Sequence, residues 1–272
     1  MSAVGGDPRV ALVGAGRMGQ AVLAGLLGAG WDPSRITATE AHEPTAQAVR
    51  ERHGIEVSPS PSAVSGADVV VIGVKPHQVT AVLDEVAAHL QPGATVVSLA
   101  AGVSTATLGA HLPAGTAVVR VMPNTPALVG MGMSVMSPAP GCPPESLALA
   151  ERVLGAVGQV RTAPESQQDA VTAVSGSGPA YVFYVAEAMI DAGVMLGLPR
   201  DLAHDLTIQT LLGAATMLRD TGEHPTVLRE NVTSPGGTTA AAVHVLDDAA
   251  VKAAFANAMR ACRDRSVELG GA

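Results

Sequence analysis

Six residues constrain this chain more than any others: Gly14-Ala15-Gly16-Arg17-Met18-Gly19 directly follow a short apolar run, Val10 to Val13, and open a helical pattern through Ala21, Val22, Leu23 and Leu26. Each glycine in such a strand-to-helix turn has a mechanical reason. One makes the turn tight, one lets the backbone approach a pyrophosphate, and one allows close packing of helix on strand. The helix amides then face the phosphates. GxGxxG alone is weak evidence, but further strand–helix units stand behind it here. It predicts a dinucleotide site rather than a glycine-rich structural turn.

Apolar, β-branched runs at 10–13, 36–39, 69–74, 95–99 and 117–121 alternate with helical segments. This is the rhythm of a parallel sheet covered on both faces. A strand pair at 132–136 and 158–162 brackets a helix of about residues 145–157, which brings the sheet to about seven or eight strands. After Pro164 apolar residues recur only at helical spacing. The expected fold is α/β: a Rossmann-type doubly wound, mostly parallel sheet over 1–164, the dinucleotide-binding domain, then an all-helical C-terminal domain over 165–272.

Within that second domain, Pro179 to Leu196 is apolar nearly all round, and a helix of that kind needs burial on every side. A small helical domain offers too little cover, so a second subunit is expected to supply the rest. The stretch Ala180 to Leu198 is interrupted by Glu187, Asp191 and two glycines and falls short of a membrane span. Against 24 acidic residues stand 16 Lys and Arg, for a net charge of −8 with the basic residues scattered. That balance argues against nucleic acid or a membrane surface as partner. Residues 1–8 lack the basic start and apolar run of a leader, so a cytoplasmic address is expected. Cys142 and Cys262, far apart, read as two reduced thiols, and no metal site is visible.

Glu40 ends the second strand, where an acidic side chain bonds the adenosine ribose hydroxyls and repels a 2′-phosphate. Alone it favours NAD over NADP; the plainer reading is a solvated glutamate at a strand end. Two more loops leave carboxyl ends of strands, where ligands of open α/β sheets bind: Gly73-Val74-Lys75-Pro76 and Ser98-Leu99-Ala100-Ala101-Gly102. Their small residues let the nicotinamide end lie against backbone. A third, Arg120 to Pro126, holds Asn124 between prolines, and its plainer reading is a rigid turn with Asn124 satisfying its own backbone. Two glycine-rich breaks, Ser175-Gly176-Ser177-Gly178-Pro179 and Thr233-Ser234-Pro235-Gly236-Gly237-Thr238-Thr239, each precede a helix, whose first amides attract anions. Thr238 or Thr239 taken singly reads as an ordinary N-cap.

The segments GAGRMG, VKP, LAAG, RVMPNTP, SGSGPAY and above all NVTSPGGTTAAAVHVLD occur in this order along the chain. With them the sequence resembles the pyrroline-5-carboxylate reductases throughout its length. The last segment is the family's signature. The resemblance implies that Gly14, Ala15, Gly16, Arg17, Met18 and Gly19, with Val74, Lys75, Pro76, Ala100, Ala101 and Asn231, touch the dinucleotide. It implies that Ser234, Gly236, Gly237, Thr238 and Thr239 hold the substrate, 1-pyrroline-5-carboxylate. The family usually prefers NADPH, while Glu40 leaves NADH open. Its members form dimers through interleaved helical domains, and some assemble five dimers into a ring.

Reducing a cyclic imine needs a hydride donor over the C=N carbon, a grip on the carboxylate and a hydrogen bond near the nitrogen. The cofactor carries the hard step, and a protonated imine is already electrophilic, so catalysis is mostly positioning. Thr239 is the expected catalytic residue, its hydroxyl bonding the ring nitrogen while Ser234 and the amides of Gly237, Thr238 and Thr239 grip the carboxylate. One rival is a β-hydroxyacid-type dehydrogenase, which relies on a helix-borne lysine. The only lysine after Pro164 is Lys252, far along the sequence from both glycine-rich breaks. The other rival, a silent dinucleotide-binding or sensing protein, would be expected to have lost the substrate loop, which is intact.

Overall fold

A computed structural model describes residues 7–58 and 61–270. The first half runs β1 (Val10–Val13), α1 (Arg17–Gly28), β2 (Ile36–Thr39), α2 (Glu43–His53), β3 (Glu56–Ser58), β4 (Val69–Ile72), α3 (Val79–Ala87), β5 (Thr95–Ser98), α4 (Thr105–Ala110), β6 (Ala117–Met122), β7 (Gly132–Pro138), α5 (Pro144–Gly155) and β8 (Gly158–Thr162). Every residue of β1, β4 and β5 is buried. Strands with no polar face belong in the middle of a sheet covered on both sides, and that is where these three lie. The sheet order is β3-β2-β1-β4-β5-β6-β7-β8. Neighbours are parallel through β6; β7 turns antiparallel to β6, and β8 runs parallel to β7 across the α5 crossover. The sheet is thus doubly wound and mostly parallel, as the spacing predicts.

The period-2 alternation of side chains builds two cores. Leu12, Val71 and Val97 face Leu23 and Leu26 of α1 and Leu154 of α5, while Val13, Val70 and Ile72 face Leu83 of α3 and Leu108 of α4. Each such large side chain contributes about 1.5–3 kcal/mol on burial. The cores fix where the strands end, and their carboxyl ends carry the loops of interest.

After β8 come α6 (Gln168–Val171), a π-helical turn at Thr172–Gly176, then α7 (Gly178–Met195), α8 (Arg200–Thr221), α9 (Pro225–Asn231), α10 (Thr238–Asp248) and α11 (Val251–Gly270). No strand occurs among the described residues past β8. By packing, one compact unit extends to Ser177 and takes back the chain from Cys262 on; the other is Gly178–Ala261. In the first unit the returning segment is held by the Ser266 hydroxyl, which donates to Asp169 at 2.7 Å.

In the second unit α7 lies close to α8 because a Cβ at Gly193 would stand 3.0 Å from that of Ala203. Yet Ala186 is the one buried residue of α7, and its Phe183, Tyr184 and Met195 are 67%, 74% and 87% exposed. An apolar face of this extent marks a surface that a single chain does not cover. None of the helices among the described residues is long and apolar enough to cross a membrane.

Candidate functional site

The glycine loop has the geometry its sequence demands. Gly14 adopts φ +92°, the left-handed region, and a Cβ there would stand 2.7 Å from Cγ1 of Val74. At Gly19 a Cβ would collide with the carbonyl oxygen of Gly14, so this glycine sets how tightly α1 sits on the loop. Gly16 differs: a Cβ would meet nothing nearer than the Gly73 carbonyl, at 4.0 Å. Gly16 lines a groove of about 270 Å³ shared with Gly14, Thr39, Glu40, Val74 and Lys75. It is also the N-cap of α1, with no side chain capping the helix and no acidic residue in its first turn. The helix therefore offers bare amides at its start to an anion. Gln20 steadies the loop by donating to the Ala15 carbonyl at 2.8 Å.

Glu40, at the end of β2, turns into the same groove, where its Oε2 accepts the Ala15 amide at 3.1 Å and its Oε1 accepts the His42 amide at 2.9 Å. The carboxylate is neither solvated idly at a strand end nor devoted to a ligand alone. It ties the loop after β1 to the loop after β2. Lys75 and Glu85 bring one positive and one further negative side chain to the groove.

Beyond the sheet's switch point between β1 and β4, a second cavity of about 370 Å³ is lined by Pro76, Ala101, Gly102, Thr172, Ser177 and Cys262, among others. Ala100 is buried beneath this loop and Ala101 exposed. Asn124 does not satisfy its own backbone, as the plainer reading has it. Its Nδ2 reaches Ser175, 51 residues away, and its Oδ1 accepts the Met133 N–H from the next strand, contacts that no turn pattern reveals. Among the described residues no group of three or more His, Cys, Asp or Glu is placed to hold a metal ion.

In the second unit, Asn231 ends α9, and Ser234-Pro235-Gly236-Gly237 make a turn closed by the Gly237 amide donating to the Ser234 carbonyl at 3.0 Å. Proline second and a glycine at φ +69° third are the residues a type II turn requires. Gly237 is the N-cap of α10, and no side chain caps the helix. Thr238 and Thr239 are its first two residues, so neither plays the ordinary capping role considered for it. The start of α10 keeps its amides for something else, with the Ser234 hydroxyl beside Gly237.

The structure thus gathers Gly14, Gly16, Glu40, Val74 and Lys75 around one groove, and Ser234, Gly236, Gly237, Thr238 and Thr239 around one helix start. Arg17 and Met18 lie on the first turn of α1, and Pro76 and Ala101 line the second cavity. Thr39, Ala41 and Gln78 also line the groove, and sequence reasoning did not single them out. Their only signal was adjacency to Glu40 and Pro76.

Residues 165–269 match the family described as pyrroline-5-carboxylate reductase dimerisation, and residues 9–102 match NADP oxidoreductase coenzyme F420-dependent. A pyrroline-5-carboxylate reductase of Corynebacterium melassecola is 44% identical over 96% of this chain and 98% of its own. A solved pyrroline-5-carboxylate reductase from Coxiella burnetii superposes with a TM-score of 0.92 at 36% identity, covering 97% of this chain and 98% of that one. A Plasmodium falciparum pyrroline carboxylate reductase, solved with NADP bound, gives 0.87 at 27% identity over 98% and 100%.

Proposed function

The chain belongs to the pyrroline-5-carboxylate reductase family, and from that premise we propose that it reduces the C=N bond of 1-pyrroline-5-carboxylate with NADPH or NADH to give L-proline, the last step of proline biosynthesis. The observation that carries the reading is the uncapped start of α10 behind Gly236 and Gly237. In a chain of net charge −8 it is a local positive site suited to a small carboxylate.

When bound, the dinucleotide supplies the hydride. Gly16 leaves room for it at the uncapped start of α1, with Gly14, Ala15, Arg17, Met18 and Gly19 shaping the turn, and Val74, Lys75, Pro76, Ala100, Ala101 and Asn231 are proposed as further contacts. The Ser234 hydroxyl and the amides of Thr238 and Thr239 hold the substrate carboxylate, while the Gly237 amide, expected from sequence to join them, is taken by the Ser234 carbonyl and shapes the turn. The Thr239 hydroxyl accepts from the protonated ring nitrogen and can donate to the amine product, so it orients the ring without acting as a strong acid.

On this reading residues 1–164 bind the dinucleotide and 165–272 bind substrate and form a dimer, the unit from which any ring of dimers is built. The exposed apolar face of α7 supports the dimer. The two unpaired thiols, Cys142 and Cys262, fit a reducing cytoplasm. The test is the oxidation of NADPH and NADH by the purified protein with pyrroline-5-carboxylate, run in parallel. Proline formed in step with oxidised cofactor supports the reading, and cofactor binding without turnover replaces it with the silent sensor.

A further inference from the structure

Asn124 follows β6 at the carboxyl end of the sheet and uses both ends of its amide. Its Nδ2 donates to the carbonyl and the hydroxyl of Ser175, each at 3.2 Å, and its Oδ1 accepts the Met133 amide at 2.9 Å. Ser175 lies in the π-helical turn Thr172–Gly176, which closes with the Ser177 amide donating to the Thr172 carbonyl at 2.8 Å. A second contact presses on the same turn: a Cβ at Gly176 would collide with Cε of Met122, the last residue of β6. Turns of this wide kind are rare and recur at functional sites.

What the turn leads to gives the arrangement its meaning. Ser177, next in the chain, lines the second cavity beside Pro76, which follows β4, and Ala101 and Gly102, which follow β5. Those loops lie past the switch point, in the half of a doubly wound sheet that takes the second mononucleotide of a dinucleotide.

We propose that Asn124 is a positioning residue of the reaction: it holds the π-helical turn against the end of the sheet and so sets where Ser177 stands in the cavity wall. The assignment rests on the reductase reading. Only a carboxamide fills the role, because an aspartate keeps the acceptor for Met133 but has no N–H for Ser175, and an alanine has neither.

The test compares Asn124→Ala and Asn124→Asp with the wild-type enzyme. It measures kcat and KM for the imine separately, cofactor Kd by the fluorescence of bound reduced cofactor, and amide hydrogen exchange over residues 174–177. Both variants should lose about ten- to a hundredfold in kcat, the effect of a small misplacement at a reacting centre, with faster exchange in the turn and a change in cofactor Kd smaller than that in kcat. Asn124→Asp keeps the Met133 contact and gives the readout if Asn124→Ala does not fold. Wild-type kcat in a folded variant overturns the proposal, as does a loss of kcat without faster exchange. If neither variant folds, Asn124 is structural and the proposal also falls. A wild-type enzyme that does not reduce the imine removes the reductase reading, and this assignment with it, whereas wild-type turnover with unaffected variants removes this assignment alone.

Discussion

Glu40 accepts the amide of Ala15 at 3.1 Å, so the acid at the end of β2 and the glycine turn after β1 are one hydrogen-bonded unit. The carboxylate holds the turn, and on the proposed reading it also places negative charge where the 2′-phosphate of NADPH would be repelled. Glu40→Arg is expected to act twice. The lost bond to Ala15 lowers kcat/KM with both cofactors, while the ratio moves toward NADPH by about 1–3 kcal/mol, the scale of a charge-assisted hydrogen bond. Parallel kinetics with NADPH and NADH give that ratio, and an unchanged value refutes the role.

Glu165 joins two separated parts of the first unit. Its carboxylate accepts the Thr105 amide at 2.8 Å and the Thr105 hydroxyl at 2.5 Å, and pairs with Arg120 at 3.1 Å. Burial pushes the carboxyl up, but the Thr105 donors and Arg120 outweigh it and hold it below the ordinary carboxylate range. A folded-state pKa below the unfolded one contributes stability above the unfolded value, about pH 4.3, and loses it as pH falls through the folded value. Melting temperature should therefore drop on acidification more steeply in the wild type than in Glu165→Gln. At neutral pH the variant should be less stable by about 1–3 kcal/mol, the cost of weakened charge-assisted bonds. Parallel acid slopes would remove Glu165 as a contributor.

The uncovered face of α7 predicts association. Light scattering at micromolar concentration should give at least twice the chain mass, and Phe183→Asp, at a position 67% exposed in the single chain, should shift it toward the monomer with lower thermal stability. A stable, active wild-type monomer would mean that the apolar face serves something else.

Thr239→Ala should lower kcat/KM for the imine by about 1.4–4 kcal/mol, tenfold to a thousandfold. Cofactor affinity and melting temperature should stay near wild type, because Gly237 rather than Thr239 caps α10. Thr239→Ser keeps the hydroxyl and should keep most activity. Wild-type turnover in the alanine variant would leave the threonine a helix residue and no more.

The strands that carry the site were legible because β1, β4 and β5 are short runs without a polar face, and such runs have few places to go. β3 was not, since Val57 alone of its three residues is buried and three residues show no period. The glycine turn was legible because its demands are local: the left-handed Gly14 and the collision avoided at Gly19 follow from a tight strand-to-helix bend. Asn124 could not be read, because its partner Ser175 lies 51 residues away. Thr238 and Thr239 invited a capping role that the preceding type II turn hands to Gly237. The apolar circumference of α7 was plain in sequence, and within one chain only its Ala186 is buried.

Hydride transfer from cofactor to imine can be followed by isotope. Reduced cofactor carrying deuterium at the transferable position is incubated with the enzyme and unlabelled pyrroline-5-carboxylate, and the proline formed is examined by mass spectrometry and NMR. The expected product is proline carrying a single deuterium, on the ring carbon that was the imine carbon, in step with oxidised cofactor. Unlabelled proline, or cofactor left reduced in the presence of the imine, would contradict it.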